Sequence, residues 1–384
     1  MTPHIATRRT FLAASATGIA GLPVGASLAA ESTGRNSAGG TAKSTILFFL
    51  CGGASHIDMW DLKPKAPREY RGPFEPIATS APGVMLSEHL PMLAQQAHHI
   101  ALLNSVGATV NTNDHHAGYY HNLTGHVPDL SFRTLGNNRT PFPDDWPFMG
   151  SVVGAKRPRH EFLPNAITLP HSPSRKPYTR PGQFAARLGV EHDPLYLSGT
   201  HEEPLKFQAP SLQLQAGIDG PRLTARRELL GAIDEARYQF EQSAVTRTWT
   251  QQQERAISLL ASTGTANAFD VAQEPEAVRK RYGESINGMS LLLARRLAEA
   301  GVPFITVFWL GEGIGSPTAK KCKSAGSWDT HGSNFACLKD NLLPIFDRSF
   351  SALVEDLADR GMLDETLLMI TSEMGRKPKI GDPR

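Results

Sequence analysis

Ser44-Thr45-Ile46-Leu47-Phe48-Phe49-Leu50 is short, β-branched and aromatic, and nearly unbroken in apolarity. A strand with one wet face alternates apolar and polar residues. One that is apolar throughout is covered on both faces, as in a parallel sheet. Residues 166–169, 304–309 and 367–370 read as further strands of this kind, and residues 100–103 as another. Between them lie helical patterns. Residues 276–300 carry Ile286, Met289, Leu293 and Leu297 on one face, with Gly301 as the stop and Pro303 behind it. Leu338, Leu342, Phe346, Phe350, Leu353 and Leu357 recur at three- and four-residue spacing. Asn334 is placed to cap that helix, Pro344 to kink or divide it, and Gly361 to end it. Strand–helix–strand alternation of this kind predicts an α/β fold, a mostly parallel sheet with helices on both faces.

The rest of the chain fits around that core. Residues 90–98 suggest a short helix, 172–181 a basic loop, and 191–208 irregular chain. Residues 220–265 are charged and Gln-rich with a helical period, which suggests an insertion or cap. The 28 prolines and 34 glycines imply long connections. A formal net charge of +2 in 384 residues offers no basis for nucleic acid as a partner. No apolar run beyond the N-terminus is long enough for a transmembrane segment.

The N-terminus reads as an address. Thr7-Arg8-Arg9-Thr10-Phe11-Leu12 is a twin-arginine pattern, an apolar Ala- and Gly-rich stretch follows, and small residues surround Ser27-Leu28-Ala29. Residues 1–30 are therefore expected to be an export signal and 31–43 a linker. The mature protein is expected in the periplasm or outside the cell. Three cysteines, Cys51, Cys322 and Cys337, show no CxxC spacing. Cys51 ends the first strand as a small hydrophobe, and Cys322 and Cys337 are either one bridge or two thiols.

Chemistry-bearing residues concentrate just past two strands, in Trp328-Asp329-Thr330-His331-Gly332 and in Thr371-Ser372-Glu373-Met374-Gly375-Arg376. Open α/β sheets bind ligands at the carboxyl ends of their strands. Asp329 and His331, two apart, suit a divalent metal, and the bland alternative is helix-entry hydrogen bonding. Glu373 is either a metal ligand or a carboxylate paired with Arg376 or Lys377. Arg376 can orient an oxyanion. The segment holding Asp114, His115, His116 and His121 is the densest in histidine, and if it is a loop one of them can act as base or ligand. His56 and Asp58 offer either ligands or turn hydrogen bonds. Zinc, calcium, magnesium and manganese all remain open as the metal.

Several segments in order resemble a known family. They are Gly52-Gly53-Ala54-Ser55-His56-Ile57-Asp58-Met59-Trp60-Asp61-Leu62-Lys63-Pro64, Glu276-Ala277-Val278-Arg279-Lys280-Arg281-Tyr282-Gly283, Trp328-Asp329-Thr330-His331-Gly332 and Glu373-Met374-Gly375-Arg376. They resemble the secreted bacterial family catalogued as domain of unknown function 1501, abundant in planctomycetes. That family is similar in turn to the alkaline phosphatase and sulfatase superfamily. The resemblance implies an α/β/α sandwich and hydrolysis of phosphate or sulfate esters at divalent metals. It implies that Asp329 and His331 hold one metal and Glu373 a second, with Met374 where a histidine ligand is usual. Counting back from Leu123-Thr124-Gly125 puts His115 near the nucleophile position, where no Cys, Ser or Thr stands. Cys51 occupies the place of a first-strand Asp, so Asp58 or His56 would substitute for it. Family members commonly continue into a Gly-Arg-Asp-His segment and further strands. The resemblance therefore implies that the last ligands and part of the sheet are absent from a chain ending at Arg384.

Two functions follow as expectations. One is an exported metal-dependent hydrolase of phosphate or sulfate esters, on a small-molecule or polysaccharide substrate, with His115 or His116 moving the proton and Arg376 stabilising charge. The other is a non-catalytic binding or assembly protein of the envelope on the same fold. A phosphoryl-transfer enzyme is a third, weaker alternative.

Overall fold

The stretch at 44–50 forms the strand against which the helical layers and the site are arranged. The structure, a computed structural model, describes residues 40–107, 110, 112–158, 160, 163–175, 178–209, 267–313 and 315–381. The expected signal at 1–30, most of the linker and the helical insertion at 220–265 lie outside these residues.

Five strands run parallel: β1 (Ser44–Phe49), β2 (Ala166–Leu169), β3 (Leu195–Tyr196), β4 (Phe304–Phe308) and β5 (Thr366–Thr371). Their order across the sheet is β3-β2-β4-β1-β5. In register, Leu47 lies between Thr306 and Met369, and Phe49 between Phe308 and Thr371. The helices framing the site are α1 (His56–Met59), α2 (His115–Thr124), α3 (Met149–Lys156), α4 (Glu276–Tyr282), α5 (Ile286–Glu299), α6 (Asn334–Cys337) and α7 (Leu343–Asp359).

Side chains of a strand alternate in direction, so β1 feeds two cores. Ile46, Phe48 and Leu50 join Met289, Leu293, Phe346, Phe350 and Leu353 of α5 and α7 on one face. Leu47 and Phe49 join Tyr119 and Leu123 of α2 and Phe148, Phe304 and Phe308 on the other. The result is a layered α/β arrangement with helices on both faces. Phe346 is central to the first layer. Its ring stacks on Phe48 (6.1 Å between centroids) and Phe350 (5.3 Å) and meets Trp328 edge-on (5.9 Å).

Several local expectations are corrected. Residues 276–300 form two helices, because Gly283 (φ +92°) turns into the left-handed region and ends α4. Ser285 then caps α5, its Oγ accepting from the Gly288 N–H (3.1 Å). Gly301 does stop α5, with the Val302 N–H bonded to the Leu297 carbonyl (3.0 Å). Residues 100–103 form no strand, and Leu103 is 76% exposed. The 172–181 loop contains an antiparallel hairpin, Ser174–Arg175 with Tyr178–Thr179. Ser333 rather than Asn334 holds the cap position of α6. Pro344 divides the helix: it lies in the first turn of α7, after a π-type turn at Leu338–Leu342.

Truncating Phe346 to Ala removes the ring shared by β1, α7 and the Trp328 segment. It is expected to cost about 3–5 kcal/mol in a denaturant titration. A loss below about 1 kcal/mol would show that this ring does not hold the layer together.

Candidate metal centre

At the carboxyl ends of β1 and β5 the chain places a graded set of polar groups. Glu373 is two residues past β5, and its side chain is 0% exposed. A carboxylate can be buried only if its oxygens are bonded. The Gly52 N–H donates to both of them, Oε1 at 2.9 Å and Oε2 at 3.0 Å, and His115 Nδ1 lies 2.7 Å from Oε1. His115 Nε2 lies 3.3 Å from Asp329 Oδ2, and His331 Nε2 lies 2.8 Å from Asp329 Oδ1. Side-chain exposure rises along this series: 18% at His115, 36% at Asp329 and 56% at His331. The row is anchored in the core and opens to solvent at His331.

Local folding explains each position. Residues 114–121 are a helix start rather than a loop. Asp114 caps α2 through the Ala117 N–H (3.0 Å), which puts His115 in the first turn, facing β1 and β5. Successive helical residues diverge by about 100°. His116 is accordingly fully buried elsewhere, with Nδ1 3.0 Å from the Arg139 carbonyl. Gly118 lets α2 come close, since a Cβ there would meet the Glu373 carbonyl at 2.9 Å.

Asp329 and His331 ride on a segment tied down at several points. The Trp328 indole is buried against Trp309 (5.1 Å) and Phe346, and the Trp328 N–H donates to the Cys51 carbonyl (3.2 Å). Gly52 sits against the Asp329 backbone with φ +126°, and a Cβ at Gly52 would lie 2.1 Å from the Asp329 nitrogen. A Cys322–Cys337 disulfide closes the loop that holds both residues. Either bridge or free thiols suited the sequence; the structure has the bridge.

The other expected site residues have structural partners. Arg376 donates from Nη2 to the Thr330 carbonyl (2.9 Å) and from Nη1 to the Gly53 carbonyl (3.3 Å), joining the two strand-end segments. Asp58, buried in α1, accepts from Ser55 Oγ (2.6 Å) and Asn334 Nδ2 (3.2 Å). Asn334 also accepts from Thr330 Oγ1 (2.5 Å). His56 is half-buried beside Gly375, and burial lowers its pKa. Sequence reading missed Gly52 as a donor and Ser372 as a bracket. Ser372 Oγ donates to the Leu50 carbonyl (2.5 Å) and accepts from the N–H groups of Gly53 (2.9 Å) and Ala54 (3.1 Å). The double glycine after β1 was the available signal for both.

Three residues offer ligand atoms that all lie within 4.8 Å of one another: His115, Asp329 and His331. Two imidazoles and a carboxylate form a donor set suited to a divalent ion, and three protein ligands leave a position for substrate. The set fits a metal. Glu373 stands behind His115 as the carboxylate that fixes its ring: with Nδ1 bonded to Glu373, Nε2 is the atom turned toward Asp329. Burial pushes the His115 pKa down, but the hydrogen bonds to Asp329 and Glu373 outweigh it and hold the group up at about 9. Asp329 is held below the usual carboxylate range, burial being outweighed by His115 and then His331 and Arg376. The Cys51 thiol is pushed far up by burial and by Glu373, so it stays protonated.

A sequence profile of the family described as "Protein of unknown function (DUF1501)" matches residues 42–383, and the chain belongs to that family. No curated protein and no solved structure matches the chain. No helix among the described residues is long and apolar enough to cross a membrane.

Two outcomes follow from this geometry. The raised pKa of His115 stabilises the metal-free fold fully below the ordinary imidazole range, and that contribution is lost as pH rises through about 9. The unfolding midpoint of metal-free protein should therefore fall across that interval, and a His115→Gln variant should lack the step. An identical step in the variant would contradict the assignment. Separately, replacing Cys322 and Cys337 together by Ser should cost about 3 kcal/mol, the value for a loop of about 15 residues. It should also weaken metal uptake, measured by competition with a chromogenic chelator; unchanged uptake would show that the bridge does not position the ligands.

Proposed function

We propose that this DUF1501 chain is an exported hydrolase of phosphate or sulfate esters that works with a divalent metal held by His115, Asp329 and His331. The observation that carries the reading is the meeting of these residues at the carboxyl edge of a parallel sheet, with a buried Glu373 bracing the innermost imidazole. Within the range open from the sequence, imidazole donors favour zinc over calcium, magnesium or manganese, which suit oxygen ligands. When bound, such an ion supplies Lewis-acid polarisation of the ester oxygen and stabilises developing negative charge.

The protein's own part is positional. Glu373 and the Gly52 N–H hold His115 in one orientation. Arg376 and the disulfide hold the Asp329–His331 segment against the end of β1. No hydroxyl or thiol of this cluster is poised as a covalent nucleophile. The Ser372 hydroxyl donates to the Leu50 carbonyl, that of Thr330 donates to Asn334, and Cys51 is held protonated. Attack by water fits this arrangement, with the exposed His331 marking the side on which the cluster opens to solvent. The twin-arginine pattern at residues 7–12 and the disulfide support export to an oxidising compartment, the periplasm or beyond. The missing nucleophile also favours the second reading, a non-catalytic envelope binding protein that uses the same metal.

His331→Ala should abolish stoichiometric metal in protein purified by size exclusion, with the fold retained by circular dichroism. Aryl phosphate and aryl sulfate hydrolysis should fall with it. Metal retained in this variant would refute the ligand assignment. Metal lost from it, with the parent loaded but inert on both esters, would select the binding protein.

A further inference from the structure

A second group of side chains lies along the same sheet edge, past β2 and β3. His171 follows β2 by two residues, with its ring against Phe308 (6.2 Å between centroids). The Gly199 N–H donates to the Pro170 carbonyl (2.9 Å), which carries the chain after β3, and with it His201, to the side of His171. Arg180 comes in from the hairpin beyond β2, its guanidinium 4.8 Å above the Tyr119 ring. Tyr119 itself belongs to α2, the helix that carries His115, and its ring packs on Phe49 (4.9 Å).

These three residues share a property. His171 Nδ1, Arg180 Nη1 and His201 Nε2 are each shut off from solvent without a hydrogen-bond partner. A buried polar group that makes no hydrogen bond is destabilising, so a cluster of such groups calls for an explanation. The two buried arginines among the described residues are matched with carboxylates. Arg139 is bonded to Asp145, and Arg295 is paired with Glu274 (2.9 Å) and Asp356 (3.0 Å). Arg180 has no ion pair among the described residues. The basic groups also act on one another. Burial first, then His201 and Arg180, push the His171 pKa down to about 4. The Arg180 charge reaches the first cluster as well, opposing protonation of His115.

We propose that Arg180, His171 and His201 form an oxyanion pocket beside the metal centre, which receives the phosphate or sulfate group of the ester. This inference rests on the hydrolase reading and deepens it by assigning the acid group of the substrate to named donors. A guanidinium fork and two imidazoles match a group with several acceptor oxygens, and the cation at Arg180 supplies a charge that no carboxylate of the described residues pairs with. The location fits as well, because β2, β3, β1 and β5 all run the same way and deliver both clusters to one edge.

Binding of inorganic phosphate and inorganic sulfate to the full chain, stripped of metal by a chelator, tests this by isothermal titration, with acetate as the comparison. Saturable binding of at least one of the two oxyanions is expected, stronger than that of acetate, and the difference between them identifies the preferred ester. Arg180→Gln should weaken it about tenfold or more, and His201→Gln should weaken it by a smaller factor. If Arg180→Gln loses its near-ultraviolet circular dichroism, Arg180→Lys and His201→Gln decide instead, with the same direction expected. Oxyanion binding undiminished in folded Arg180 and His201 variants overturns the pocket, as does no binding by the parent chain. Arg180-dependent binding in a protein that cleaves neither ester leaves the pocket standing and removes the hydrolase. Ester cleavage with an unchanged KM in Arg180→Gln does the reverse.

Discussion

The buried carboxylate of Glu373 is the interaction around which this molecule is organised. A charge placed past the end of β5 with no exposed surface demands compensation, and it draws that compensation from two other elements. The Gly52 N–H at the end of β1 and the His115 imidazole at the start of α2 both converge on it. That demand fixes where α2 starts relative to the sheet, and so where the only histidine of the 114–121 group that meets Asp329 can point. Glycine is required twice for the convergence. Gly52 allows the backbone of residues 328–329 to close in, and Gly118 allows the Glu373 backbone to approach α2.

The Asp329–His331 segment depends on a different balance. Its aspartate and histidine face water, which by itself would leave them free to sample many orientations. Trp328 buries its ring among Trp309 and Phe346, and the Cys322–Cys337 bridge restrains the loop from both sides. Asp329 and His331 thus hang from a core residue one and three positions away. Metal sites need this kind of support, because ligand distances tolerate errors of only a few tenths of an ångström. Arg376, expected to meet substrate, is engaged in this support by bonding two carbonyls.

The two clusters at the sheet edge have opposite electrostatic character. Around Asp329 and Glu373, carboxylates outbid burial and raise the pKa of His115. Around Arg180, burial and like charge depress His171. One site is suited to a cation, the other to an anion. The proximity of such pairs is what electrostatic catalysis exploits.

Much of the scaffold was legible in the residues themselves. The unbroken apolarity of 44–50 and 304–308 announced covered parallel strands, and the spacing from Leu338 to Leu357 announced a helix, because burial and periodicity are local properties of a sequence. The pairing of Asp329 with His331 was legible for the same reason, being two residues apart. The absent strand at 100–103 was not, since it turns on what neighbouring chain can bury, and the break at Gly283 was hidden by an apolar period that runs on through it. Nor could sequence tell that His115 rather than His116 enters the site, that Glu373 lies behind a ligand, or that Arg180, His171 and His201 gather together. The chain by itself determined the layers and the chemistry available at the strand ends. Tertiary structure alone decided which side chains share a cleft, because burying one carboxylate and closing one disulfide loop set distances between residues hundreds of positions apart.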